Sequence, residues 1–96
     1  MSLDGATILI IESEIGNFVI SLQEALEAVG AQSVVARDGS EAQLRSYQLQ
    51  FSAVLLNEEH REIEGDLSGR GLPVMLYSRV SAPRAIIAAL RLRLEN

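Results

Sequence analysis

The chain contains no cysteine and no lysine, and aromatic residues make up only 4% of its 96 positions. Without cysteine there is no disulfide and no thiolate metal site, and the composition fits a reducing compartment. With so few rings, the core has to be built from aliphatic side chains. No apolar run approaches the roughly 18 residues of a membrane span, and no basic-then-apolar leader marks a signal peptide. A cytoplasmic protein is expected. A formal net charge of −5 disfavours nonspecific nucleic-acid binding. His60 is the only histidine. With no second imidazole or thiolate to join it, a transition-metal site is not expected, and the ring is expected in solvent.

What is present is 48% hydrophobic residues, enough for one core and one domain over residues 1–96. Two runs lack any alternation: Thr7-Ile8-Leu9-Ile10-Ile11 and Ser52-Ala53-Val54-Leu55-Leu56-Asn57. Short, continuous apolar runs are strands buried on both faces, as in the middle of a parallel sheet. Ser33-Val34-Val35-Ala36 and Leu72-Pro73-Val74-Met75-Leu76-Tyr77 are two further strands, with proline tolerated at the start of the latter.

Helical spacing fills the intervals. Ile15, Phe18, Val19, Leu22, Leu26 and Val29 repeat on one face, Gly30 takes the C-terminal cap, and Ser13 is placed to cap the first turn beside Glu14. Asp38-Gly39 is a turn, and Ser40 to about Gln50 is a helix with a poor stripe. Glu58 to Gly71 is acidic, with room for a turn or two of helix around Ile63 and Leu67. Ser81 as N-cap, Pro83, and the stripe Ile86, Ile87, Leu90 and Leu94 define a final helix. Strands alternating with helices imply a three-layer α/β sandwich around a parallel sheet with right-handed crossovers.

This order resembles the receiver domain of response regulators, the CheY-like family. The likeness rests on Ile8–Ser13, on Ala36-Arg37-Asp38-Gly39-Ser40-Glu41-Ala42, on Ala53–Asn57 and on Leu72–Ser78. It implies a flavodoxin-like sheet in the order 2-1-3-4, shortened by the family's fifth strand, and a place in two-component phosphorelay signalling. Family chemistry needs a carboxylate nucleophile, Mg²⁺ on carboxylates, a lysine and a hydroxyl around the transferring phosphoryl group. Carried over residue by residue, the acceptor position is Asn57, a neutral amide. The acidic pair is Glu12 and Ser13, one carboxylate kept and one lost. The switch hydroxyl is Ser78. No lysine exists to fill its place. Arg79 reaches that region only if the chain is collapsed there, and its planar fork is not expected to substitute.

A pocket of Glu12, Ser13, Asn57 and Ser78 emptied of catalysis is therefore expected, against the plainer reading that these residues finish strands and cap helices. No cofactor is expected, and Mg²⁺ at most weakly, with Glu12 its one candidate ligand. The acidic run Glu58–Asp66 and the basic helix with Arg84, Arg91 and Arg93 have solvated surfaces as their plainer readings. The resemblance implies self-phosphorylation on an aspartate, and the departures from it turn the expectation to a phosphorylation-independent protein-interaction module, not an enzyme, that docks a signalling protein. It also allows a homodimer through the Leu72–Tyr77 edge or the final helix. Two alternatives stay open: a working receiver that takes a phosphoryl group with Mg²⁺, and an unrelated small α/β adaptor or ligand-binding domain.

Overall fold

The computed structural model describes residues 3–95. Its order is β1 (Thr7–Ile11), α1 (Asn17–Ala28), β2 (Gln32–Ala36), α2 (Gly39–Gln48), β3 (Ala53–Asn57), a 3₁₀ stretch (Glu58–Ile63), α3 (Glu64–Gly69), β4 (Val74–Tyr77) and α4 (Pro83–Glu95). The four strands form one all-parallel sheet in the order β2-β1-β3-β4. This is the doubly wound, flavodoxin-like arrangement. The two unalternating runs are its centre: every residue of β3 and all but the first of β1 are buried. They carry aliphatic side chains on both sides because both sides are covered.

Alternation along each strand deals those side chains into two layers. Ile8, Ile10, Ala53 and Leu55 face α1 and α4, where Leu22, Leu26, Ile87 and Leu90 close the core. Leu9, Ile11, Val54 and Leu56 face the opposite way and, among the described residues, meet only Ala42 of α2 and Leu67 of α3 as buried helical partners. Full burial of each large aliphatic side chain stabilises by roughly 1.5–3 kcal/mol. The α1/α4 layer therefore carries more of the stability than the α2/α3 layer.

Several sequence-based boundaries shift. α1 begins at Asn17, with Gly16 at the cap position and no side-chain cap, so Ser13 does not cap it. Ile15 falls before the helix and is half exposed, outside the buried stripe. Glu14 likewise lies before the helix, not in its first turn. The backbone N–H of Glu14 donates to the carboxylate of Glu12 (3.2 Å), a group held in place by the distant Asn57 and Tyr77, and the chain bends at Ser13 before the helix can begin. In α2, Asp38 is more than a turn residue, since its side chain accepts from the Glu41 N–H (2.9 Å) as N-cap. α4 starts at Pro83, and the carbonyl of Ala82 accepts from Ala85 and Ile86, so Ala82 and not Ser81 holds the cap position.

Gly30 ends α1 in the left-handed region (φ +90°). Its N–H bonds the Glu27 carbonyl (3.0 Å), the C-terminal closure expected of glycine. A Cβ here would run into the Asp4 side chain and sit 3.0 Å from its Cα. Gly30→Ala is expected to cost about 1–2 kcal/mol, combining left-handed strain with the displacement of Asp4. A urea titration with an unchanged m-value and a lower midpoint would check it.

Candidate functional site

The carboxyl ends of parallel strands are where such sheets place ligands and chemistry. Here that rim is organised around one carboxylate. Glu12 follows β1 directly, its N–H still bonded to the Ala36 carbonyl of β2 (2.9 Å), and its side chain is 0% exposed. An isolated buried carboxylate is costly, so its partners decide what the site is.

Oε1 accepts from the Asn57 side-chain Nδ2 at 2.7 Å and from the Tyr77 hydroxyl at 2.8 Å. Oε2 faces the Glu14 N–H at 3.2 Å and the Arg79 Nε at 3.5 Å. Register explains the convergence. Asn57 ends β3, Tyr77 ends β4, and the two are paired neighbours across the sheet. The remaining acceptor of Asn57, Oδ1, takes the Glu59 N–H (2.9 Å) and starts the 3₁₀ stretch. Both ends of that amide are used, the donor on a carboxylate and the acceptor on backbone.

Arg79 lies in the turn after β4. Besides Glu12, its guanidinium pairs with Glu59 at 3.0 Å and with Glu14. The side chain is 30% exposed and lies over the rim, between the buried carboxylate of Glu12 and the exposed ones of Glu14 and Glu59. The chain is collapsed here, so Arg79 does reach this region, and its one planar fork spans three carboxylates. Phe18 of α1 stacks on Tyr77 (ring centroids 5.9 Å apart, 15° between planes) and helps bury the phenol. Burial, first, and then the hydrogen bond to the Glu12 carboxylate and the charges of Glu12 and Glu59 push the Tyr77 hydroxyl far above the ordinary tyrosine range.

Of the residues singled out from sequence, Glu12 and Asn57 come together. Ser13 is exposed beside them. The hydroxyl of Ser78 accepts from the Val80 N–H (3.3 Å), and its carbonyl accepts from Ser81, so it shapes the β4–α4 turn. Tyr77 and Arg79 complete the cluster in their place. Tyr77 closes the fourth strand, and a phenol at a strand end has a polar tip to place. His60 is half-buried and not in solvent: it breaks the 3₁₀ geometry (φ −109°, ψ 26°), and its Nε2 is shielded.

The cluster does not fit a divalent cation. A carboxylate offers about four lone-pair directions, and on Glu12 four donors of this chain already face its two oxygens. Among the described residues no group of three carboxylates or imidazoles is arranged to hold a metal. No helix of the described residues is long and apolar enough to cross a membrane. No family model matches the chain, and a search of curated proteins finds no match either.

Two expectations follow. In Asn57→Asp, the oxygen replacing Nδ2 would meet Glu12 Oε1 at the present 2.7 Å contact. One of the two carboxyls must then keep a proton when folded, at a cost of about 3 kcal/mol at neutral pH. A proton held more tightly in the folded state stabilises below the unfolded carboxylate range, and that contribution is lost as pH rises. The gap to wild type should therefore narrow as pH falls toward about 4, measured by urea unfolding across pH. Tyr77→Phe should cost about 1.5–3 kcal/mol, since it strips a donor from a buried charge. The raised Tyr77 group contributes stability that is whole below the unfolded tyrosine value and declines as pH rises beyond about 10. That alkaline slope in thermal melts should shrink in Tyr77→Phe.

Proposed function

We propose that the protein is a receiver-like interaction module of two-component signalling that does not accept a phosphoryl group and is read by a protein partner in its unmodified form. What carries the reading is the state of Asn57. It stands at the end of the central strand, where a phosphoacceptor carboxylate would be needed, and both halves of its amide are engaged, by Glu12 and by the Glu59 N–H. A neutral amide held in this way is a poor nucleophile.

The surrounding groups support the same reading. Receiver chemistry draws on an external cation over its acidic rim, whereas here Arg79 sits over Glu12, Glu14 and Glu59. Arg79 thereby offsets part of the rim's negative charge from within, and the buried Glu12 carboxylate acts as a structural acceptor. The 2-1-3-4 parallel order and the acidic strand ends favour a receiver-like module over an unrelated adaptor. A cytoplasmic setting and a partner without nucleic acid belong to this reading.

The test is direct. Incubated with a small phosphoryl donor and Mg²⁺, the protein should gain no phosphoryl mass by intact mass spectrometry. Asn57→Asp should remain unmodified too, and so should Asn57→Asp combined with Ser13→Asp, because Arg79 continues to hold the rim. A stoichiometric phosphoaspartate in wild type would overturn the reading, and modification of the single variant would show that the amide alone had blocked the chemistry.

A further inference from the structure

α1 and α4 pack side by side on one face of the sheet and run in the same direction, since each leaves the carboxyl rim of a parallel strand. Their outward surfaces carry opposite charge. α1 presents Glu24 and Glu27, both exposed; α4 presents Arg84, exposed, and Arg91, half-buried. Among the described residues none of these four joins an ion pair. Between the helices runs a groove of about 260 Å³, with Ala25, Ala28, Val29 and Ala88 on its walls and Arg84 and Arg91 at its border.

Helical spacing puts apolar residues in line with these charges. Ile20 lies one turn before Glu24 and is 49% exposed, and Leu92 lies one turn after Ala88 and is 65% exposed. The alanines keep the floor low, so another helix can approach closely. The face is acidic on one side, basic on the other and apolar between. Such a surface is complementary to itself.

From this we infer that the α1/α4 face is a docking surface for a second copy of the chain. A two-fold axis parallel to the helices sets α1 of each protomer on α4 of the other, so one operation satisfies both halves of the face. Glu24 and Glu27 then meet the partner's arginines, twice over, around a centre of alanine, Ile20 and Leu92. Protomers each carrying −5 repel in most orientations, and this arrangement brings unlike charges together. Among the described residues the β4 edge is also unpaired, but its strand carries no charged side chain and so offers a second copy no such charge complementarity. The inference stands on this surface alone and does not depend on the role proposed for the Glu12 cluster. Two helices of 12 and 13 residues span a footprint at the low end of specific interfaces, so the dimer is weak and reversible.

The test uses two charge-reversed chains. One carries Arg84→Glu with Arg91→Glu, so both of its helices are acidic; the other carries Glu24→Arg with Glu27→Arg, so both are basic. Circular dichroism melts establish that each is folded. Sedimentation equilibrium is run from about 10 μM to about 1 mM, a range that covers weak association. Wild type should dimerise, less so at high salt. Each reversed chain alone should be monomeric, with its dimer constant weakened at least about tenfold. Mixed in equal amounts, the two should form a one-to-one heterodimer, because every acidic helix again meets a basic one. Wild type monomeric throughout, dimers persisting in either reversed chain, or a mixture that stays monomeric would each overturn the inference.

Discussion

A fully buried carboxylate at the end of the first strand is the constraint on which this structure turns. Removing Glu12 from water costs several kcal/mol unless its charge and lone pairs are met. The partners come from three separate places: the end of β3, the end of β4 and the turn beyond it. None of them can supply its donor unless the strands are in register and the turn folds back over the rim. The polar cluster thus demands the same strand alignment as the apolar runs beneath it. Agreement of this kind between local chemistry and global packing narrows a sequence to one structure.

This view changes the meaning of the residues that differ from the receiver pattern the sequence resembles. As a catalytic site, the amide at Asn57 and the missing lysine look like losses. Around Glu12 the replacements share one property, which is that they donate. An aspartate at position 57 presents only acceptors to a carboxylate, whereas asparagine presents an N–H. Tyr77 adds a hydroxyl from the neighbouring strand, and Arg79 adds positive charge with a fork wide enough to reach Glu14 and Glu59 as well. Breaking a buried ion pair by removing one partner is far more destabilising than its net contribution suggests. The donors are therefore bound to one another through the group they serve.

The sheet was legible because its causes are local. Ile8–Ile11 and Ala53–Leu56 are unbroken aliphatic runs that only a doubly covered strand accommodates, and the spacing of Leu22, Leu26, Ile87 and Leu90 records which face each helix buries. Glu12 and Asn57 were legible as polar groups closing buried strands. Ser13 and Ser78 came from matching positions, and nothing about a serine's neighbours in sequence says whether its hydroxyl faces a pocket or a turn. Tyr77 and Arg79 were hidden for a related reason. Their partner, Glu12, is 65 residues from Tyr77, and no local pattern announces so distant a contact. The late start of α1 has the same origin, because the Glu14 N–H is taken by a carboxylate whose burial is a tertiary property.

The cluster and the helical layers are mechanically connected through the turn from β4 to α4. Arg79 is tied to three carboxylates at one end of that turn, and the Ser78 carbonyl and hydroxyl bond Ser81 and Val80 within it. The turn is short and doubly bonded, and α4 leaves it at Pro83 with a fixed first dihedral. Ile86, Ile87 and Leu90 then set the rotation of the helix about its axis by burying against the β1/β3 side chains. Position is fixed at the start of α4 by charge and along its length by apolar packing. Loosening the cluster would free the start of the helix while leaving its buried stripe in place. The outer face carrying Arg84 and Arg91 would then lose definition first at Arg84, the residue nearer the turn.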